Sequence, residues 1–307
     1  MPYRDPDSES PRVVAELAKM YERSAARLRQ IVLNPHGSTD SGQAFNRGRA
    51  AQLLAQVDAE IRSLKNSATT WIGPALSDAF DKGINTANAQ AITAGVVGPD
   101  LHSKVTGAGF NMVDRDAVTI IARTTQGDLF KAADSMRSQA FRALTSMADV
   151  GVSNADVNRI IAGGIIEGTP RQTIRTLRNE LELVNGKKIT IFTKSGGTIT
   201  FDTGYYAKLV AVTKTREARV TARHERLADL GLDLVEIIGR PSKNPCSLLL
   251  GKIFSLSGRS NKYPAFSGVS EGQPPYHLFH PNCSKSTAPI SERRIKREHR
   301  DQRSEAA

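Results

Sequence analysis

The sequence predicts an α+β fold, in which a long and mainly helical N-terminal region precedes a small C-terminal module that carries a cysteine- and histidine-containing loop. Two observations predict it. Before residue 185, apolar side chains recur every three or four positions, which is the period of amphipathic helices. After Asn185-Gly186, short runs of β-branched and aromatic residues alternate with glycine-rich turns, which is typical of strands. No internal repeat is present in the sequence.

The first helix is expected to begin with Ser10 as its cap and Pro11 at the first helical position, a combination favoured at helix starts. It is expected to end at Asn34-Pro35-His36-Gly37, because proline and glycine stop helices. The apolar stripe of this helix consists of Val13, Leu17, Tyr21, Leu28 and Val32.

A second helix is expected from about Ser41, and the segment Trp71-Ile72-Gly73-Pro74 predicts a break after it. A third helix then runs from about Pro74 to Ala94, and glycine-rich residues 95–111 are expected to form a flexible link. Four more helices are expected. The first has Asp114 as its cap and runs to Thr124, and the second runs from Gly127 to Met147. The third runs from Ser153 to Gly163, and the fourth runs from its cap, Thr169, to Leu183.

The C-terminal module is expected to begin with a hairpin, since two β-rich segments flank the turn Ser195-Gly196-Gly197. A long helix from about Tyr205 to Leu230 follows and ends at Gly231, and the next strand covers Leu234 to Ile238. The sequence therefore predicts three parts: a helical domain (1–185), an α+β module (186–290) and a basic tail (291–307).

The chain carries a formal charge of +11, and this excess favours an anionic partner such as nucleic acid. Aromatic residues make up only 6% of the 307 residues and do not alternate with the basic ones. A base-stacking platform is therefore not expected, and any contact with DNA is expected to be with phosphates. In the tail, two alternatives stay open, a solvated segment of mixed charge or an arm along phosphates; its basic residues are Arg293, Arg294, Lys296, Arg297, Arg300 and Arg303.

No run of eighteen apolar residues is present, and the polar start lacks the apolar stretch of a signal peptide. We therefore expect no membrane partner and no export, and a protein that is made and used in a cytoplasm. Two cysteines in such a compartment argue against a framework of disulfides.

Both cysteines lie in one loop together with two of the six histidines, namely Cys246, His277, His280 and Cys283. Two interpretations stay open. The cysteines can be ordinary small buried residues, with no cofactor, or the four side chains can brace the loop through zinc or a thiol pair. No C-x-x-C pair is present to favour the metal.

Enzyme signatures are weak in this chain. Cys246 with His280 as base and Asn282 as orienting group has the order of a papain-like site, but no local signature surrounds the cysteine. The spacing around Pro245-Cys246 does not fit a zinc deaminase, and neither a Walker loop nor G-x-G-x-x-G nor H-E-x-x-H occurs. We therefore expect a protein without catalytic activity.

The order of short motifs carries a family resemblance. The run from Gly251-Lys252 to Gly258 follows Cys246, and Pro275, His277 and His280-Pro281-Asn282-Cys283 follow it. Upstream lie Tyr206 and Thr215-Arg216-Glu217. In order and spacing these motifs, within Ile189 to Pro289, resemble the phage minor capsid protein 2 family and the related Mu F-like head-morphogenesis proteins.

The resemblance implies a structural head protein of a tailed phage, located in the virion interior and in the host cytoplasm during assembly. Its implied partners are the portal protein, capsid or scaffold proteins, and DNA that it contacts without sequence preference. The helical domain would then supply the faces that dock on a portal or scaffold. The alternative that stays open is a cytoplasmic nucleic-acid-binding protein with a zinc-knuckle-like loop.

Overall fold

The computed structural model describes residues 11–35, 45–93, 112–166, 168–193, 196–270 and 283–291. It confirms the α+β class, with helices first and a small sheet near the C-terminus. The helices are α1 (Pro11–Leu33), α2 (Arg47–Thr93), α3 (Met112–Val150), α4 (Asn154–Ile161), α5 (Arg171–Asn185), α6 (Thr203–Asp229) and the short α7 (Ser267–Ser270). The strands are β1 (Lys188–Phe192), β2 (Thr198–Asp202), β3 (Leu234–Gly239), β4 (Ile253–Ser255) and β5 (Lys285–Pro289).

The chain folds into two compact units. The described residues of the first unit lie within Pro11–Ile72 and Thr124–Ala211, and those of the second unit lie within Gly73–Arg123 and Val212–Ala307. The divisions fall within α2, α3 and α6, so each of these helices contributes residues to both units. The units therefore do not coincide with the sequence-based division after residue 185.

The core of the first unit contains most of the apolar stripe predicted for α1. Leu17, Tyr21, Leu28 and Val32 are buried, whereas Val13 is only partly covered. The hydroxyl of Tyr21 donates a 2.8 Å hydrogen bond to the carbonyl of Leu129, and burial raises the pKa of this phenol far above its usual value. A buried polar tip with a partner is what a tyrosine in a core requires.

Two predicted helix breaks are wrong. α2 continues through Pro74, although a proline inside a helix costs about 3 kcal/mol or more. Trp71, Ile72 and Leu76 are buried on both sides of the proline, and their packing offsets that cost. α3 likewise continues through Gly127, because a single glycine costs a helix only about 1 kcal/mol.

Two predicted caps are also wrong. α3 begins at Met112, so Asp114 lies inside its first turn and does not precede it. α5 begins at Arg171 with Pro170 in the cap position and without a side-chain capping bond, so Thr169 does not cap it. A capping box does form at α4, where Ser153 and Asp156 bond each other's backbone amides.

The predicted hairpin is confirmed. β1 and β2 pair antiparallel, with Ile189 opposite Phe201 and Ile191 opposite Ile199. Ile189 is fully buried, and Phe201 contacts Tyr206 on α6 with 5.5 Å between ring centroids. The hairpin therefore covers part of the core of the first unit with one face.

The sheet of the second unit has three antiparallel strands in the order β4-β3-β5. Only β3 was predicted by the sequence. β4 has three residues, and β5 (Lys-Ser-Thr-Ala-Pro) lacks alternating apolar residues although it is mostly buried. An apolar cluster packs against this sheet and comprises Ala87, Ala91, Leu227, Leu232, Val235, Ile237, Cys246, Leu249, Phe254, Phe266 and Cys283.

Within the described ranges, the helices do not include one with both the length and the apolar character that crossing a membrane requires.

Candidate functional site

The two cysteines lie together at one end of the three-stranded sheet. Cys246 belongs to a single 3₁₀ turn, Pro245–Leu249, that follows β3, and Cys283 lies two residues before β5. The antiparallel pairing of β3 with β5 places Gly239 opposite Lys285, which brings the two loops to the same end of the sheet. The sulfur atoms are 4.0 Å apart, both side chains are buried, and both thiols are free.

The sulfur separation distinguishes the possible states of this pair. A disulfide requires about 2.05 Å, so 4.0 Å corresponds to two thiols in contact. Two thiolates on one tetrahedral zinc, each about 2.3 Å from the metal, lie about 3.8 Å apart. The cysteine pair therefore fits two corners of a zinc site as well as simple packing in an apolar cluster.

The other predicted ligands, His277 and His280, lie outside the described residues. Among the residues that the structure describes, no group of three or more histidine, cysteine or acidic side chains could hold a metal. The structure thus brings together Cys246 and Cys283 from the predicted set of four.

Lys285 places a buried positive charge beside the thiols. Its ammonium donates to the hydroxyl of Ser242 at 3.1 Å and to that of Ser284 at 3.4 Å. Burial raises the pKa of Cys246, and Cys283 raises it further, while Lys285 and Ser242 act in the opposite direction. The pKa of Cys246 is raised overall, so this side chain is a neutral thiol at neutral pH.

Four arginines form a row along one face of α6. Arg216, Arg219, Arg223 and Arg226 are separated by three, four and three residues, and all four are buried. Arg216 donates to the carbonyl of Lys285, and Arg223 donates to the hydroxyl of Thr287 at 2.9 Å. Arg216 and Arg223 therefore bind α6 to β5, the strand that begins two residues after Cys283.

His224 contacts the same strand. Its Nε2 atom is 2.7 Å from the hydroxyl of Thr287, and its ring packs edge-on against Phe266 with 4.7 Å between centroids. Burial and, to a smaller extent, Arg223 lower the pKa of His224 to about 3. The imidazole is therefore neutral at physiological pH.

The residues that carry the family resemblance have structural partners. Glu217 pairs with Lys214 on the same helix at 2.9 Å, and Thr215 is buried. Gly251 and Gly258 have φ values of 74° and 68°, a region that residues with a side chain rarely adopt. The amide of Gly251 donates to Ile237 at 2.8 Å, so this turn returns the chain to β3.

Several predicted residues lie outside the described part of the chain, and the structure does not place them: Pro275, His277, His280, Asn282, Arg293, Arg294, Lys296, Arg297, Arg300 and Arg303. Three further residues of the site, Lys285, Thr287 and His224, are not indicated by any sequence pattern described above. The arginine spacing on α6 is the one signal that could have indicated a polar interface there.

Exposed cations surround the sheet end that carries the thiols. Arg240 and Lys243 lie in the loop after β3, and the carbonyl of Lys252 accepts a bond from Ile237 near the end of the same strand. We call Arg240, Lys243 and Lys252 the cationic end of the sheet. Comparisons of the chain with protein-family models, curated proteins and solved structures returned no match.

Proposed function

We propose that the chain is a structural minor component of the head of a tailed phage. In this proposal it binds at the portal inside the capsid, contacts packaged DNA without sequence preference, and aids head assembly and the packaging or ejection of DNA. It acts as a scaffold and binder and carries out no catalysis.

The observation that carries the proposal is the arrangement of the resembling motifs. From Val212 onward, the described motif residues belong to one compact unit. Arg216 bonds the strand after Cys283, and the Gly251 turn bonds β3, so motifs far apart in sequence support the same sheet. Such an arrangement is expected when a set of motifs specifies one folded module.

The charge distribution supports the DNA-binding part of the proposal. The cationic end of the sheet is exposed, and the chain as a whole carries a formal charge of +11. Lysine and arginine side chains on loops can contact phosphates without entering a groove, which gives affinity that falls steeply with salt.

Co-expression with a tailed-phage portal protein, which the proposal expects to be encoded beside this chain, tests the function. Size-exclusion chromatography with multi-angle light scattering would measure whether a complex forms, and zinc would be assayed in the same peak. Nuclease treatment before the column serves as a control, because a basic chain could otherwise be joined to the portal by shared DNA. A nuclease-resistant complex without zinc is expected.

A second candidate is a cytoplasmic nucleic-acid-binding protein with a zinc-knuckle-like loop, and the 4.0 Å separation of the sulfur atoms is compatible with two thiolates on one zinc ion. Absence of a portal complex, together with one zinc per chain and salt-sensitive DNA binding, would favour this candidate over the first. Gene order offers an independent test, since the first proposal expects a portal gene beside this one.

A further inference from the structure

Strand β2 has an open edge. The amide of Thr203 donates to the carbonyl of Lys187, and the amide of Thr193 donates to that of Gly197. In an antiparallel ladder, hydrogen-bonded pairs alternate with non-bonded pairs, so the bonded pairs between these ends are Ile189 with Phe201 and Ile191 with Ile199. The backbone groups of Thr198 and Thr200, and the amide of Asp202, therefore point away from β1.

The equivalent edge of β1 is closed by a side chain. Ser135 on α3 donates its hydroxyl to the carbonyl of Thr190 at 2.9 Å and accepts from the amide of Thr190 at 3.2 Å. Within the described ranges, the outward backbone groups of Thr198 and Thr200 have no such partner. The β1 edge is thus satisfied at Thr190 within the chain, whereas the β2 edge offers donors and acceptors.

The side chains of this edge do not protect it. Natural edge strands are usually blunted by proline, lysine or a bulge, and β2 contains none of these. Thr198, Ile199 and Thr200 are exposed, and Phe192, opposite Thr198 on β1, is 79% exposed. A strand that is β-branched and exposed, and that has one unpaired edge, is the type to which another extended strand adds.

The sequence of β2 is complementary to itself in the antiparallel direction. A two-fold axis through Thr200 places Ile199 opposite Phe201 of the second copy and Thr198 opposite Asp202 of the second copy. Four backbone hydrogen bonds then form, two between the Thr200 residues and one from the amide of each Asp202 to a Thr198 carbonyl.

Charge selects this arrangement over a parallel one. In the antiparallel pair the two Asp202 carboxylates are four residues apart along the strand direction, or about 14 Å. That distance exceeds the Debye length of about 8 Å at physiological salt, so their repulsion is screened. A parallel pair in register would place the two carboxylates side by side.

We propose that two copies of this chain associate through β2, so that their hairpins form one four-stranded antiparallel sheet with the strand order β1-β2-β2-β1. The proposal concerns the first unit and does not rest on the function proposed above. The dimer is held by backbone bonds and by contact between Ile199 and Phe201 of the second copy.

Sedimentation velocity of the full chain as a function of concentration tests the dimer. Thr200→Pro removes an outward amide that takes no part in pairing with β1, and proline is tolerated on sheet edges. We expect this variant to raise the dimer Kd about tenfold or more, since it removes two central hydrogen bonds. Thr200→Val is the matched control, because it keeps the amide and the β-branched shape, and it is expected to leave the Kd within about twofold.

A charge swap tests that the partner is a second copy. Thr200→Lys and Thr200→Glu each place like charges directly opposite one another and are expected to be monomeric, whereas an equimolar mixture of the two is expected to form heterodimers. Circular dichroism and the melting temperature check that all variants are folded.

The proposal is overturned if the wild-type chain is monomeric at every concentration, if Thr200→Pro and Thr200→Lys leave its association unchanged, or if the mixed Lys and Glu variants fail to pair. Loss of portal binding by Thr200→Pro, with a wild-type chain that is monomeric by itself, would also overturn it and would assign the edge to a strand of another protein.

Discussion

The guanidinium of Arg223 on α6 donates a hydrogen bond of 2.9 Å to the hydroxyl of Thr287 on β5. Nε2 of His224 lies 2.7 Å from the same hydroxyl. A neutral imidazole can accept the proton of Thr287 while the oxygen of Thr287 accepts from Arg223, so one hydroxyl serves both side chains. Polar groups therefore hold β5 against α6 at a place where the sequence of β5 offers few apolar side chains.

Removal of this hydroxyl is predicted to destabilise the second unit. Thr287→Val preserves the volume of the side chain but leaves the buried groups of Arg223 and His224 without that oxygen. The expected loss in the free energy of unfolding is about 1–3 kcal/mol, measured by chemical denaturation. Thr173→Val, on the exposed face of α5, is the control and is expected to change the same quantity by less than about 0.5 kcal/mol. Equal effects of the two substitutions would contradict the role given to Thr287.

His224 is predicted to make the fold sensitive to acid. Its folded-state pKa of about 3 lies below the unfolded value of 6.5, so the unfolded chain takes up a proton first as the pH falls. The contribution of neutral His224 to the free energy of unfolding is complete above pH 6.5 and decreases from there toward pH 3. The contribution of this residue falls by at most about 1.4 kcal/mol per pH unit, since one proton is involved.

The measurement is a comparison of denaturation curves between pH 7 and pH 4 for the wild type and for His224→Gln, which removes the titrating group and keeps a polar side chain. The wild type is expected to lose stability more steeply than the variant over this range. Parallel pH profiles would show that His224 does not carry the effect and that acidic groups account for it.

The sequence predicted those elements of the fold that are specified by patterns of residues close together in the chain. The stripe of α1 and the β1–β2 hairpin are local patterns, and both are present in the structure. The interruption at Pro74 was predicted and does not occur, because residues distant in sequence bury Trp71 and Leu76 around it. Tertiary packing outweighs the local preference there.

The site was predicted only in part for the same reason. A contact between Cys246 and Cys283 was one of two interpretations that the sequence left open, and in the structure the sulfur atoms lie 4.0 Å apart. The burial of Lys285 and Thr287 depends on their partners, Ser242 and Arg223, which are 43 and 64 residues away in the chain. A segment as polar as β5 gives no local sign that it is buried.

A chelator is predicted to separate packing from metal binding at the cysteine pair. The proposed head protein holds Cys246 and Cys283 by packing in the apolar cluster, so EDTA is expected to leave the melting temperature unchanged. Cys283→Ser is expected to lower the free energy of unfolding by about 1–3 kcal/mol, since it places a hydroxyl in an apolar site. A drop in melting temperature with EDTA, together with the loss of one zinc per chain, would instead support the zinc-knuckle candidate.

The cationic end of the sheet is predicted to contact DNA phosphates. Replacing Arg240, Lys243 and Lys252 with glutamine is expected to weaken binding equally for unrelated duplex sequences. The plot of the logarithm of the binding constant against the logarithm of salt concentration has a negative slope. Its magnitude should become smaller by about one for each phosphate that the variant no longer neutralises.

The matched control for this experiment neutralises three exposed cations of α1, namely Arg12, Lys19 and Arg23. Both triple variants lower the net charge by the same amount, so a purely global effect would change binding equally. We expect a larger decrease in affinity from the cationic end, measured by fluorescence anisotropy at several salt concentrations. Equal decreases would assign the binding to net charge alone, and a preference for one sequence would contradict phosphate contact.

Gly83 on α2 is predicted to be intolerant of any side chain because α2 and α6 approach closely within the second unit. A Cβ atom at residue 83 would lie 2.3 Å from the carbonyl oxygen of Arg219 and 2.7 Å from the Cβ of Ala222, so the helices would have to separate. Gly83→Ala is therefore expected to lower the free energy of unfolding by about 1–3 kcal/mol, despite the better helix propensity of alanine.

Gly127→Ala on α3 is the matched control, since a Cβ there meets nothing within 4 Å, and it is expected to stabilise the protein by about 0.5–1 kcal/mol. A loss of stability from Gly83→Ala together with a gain from Gly127→Ala would support the close contact of α2 with α6. A gain in stability from both substitutions would refute it.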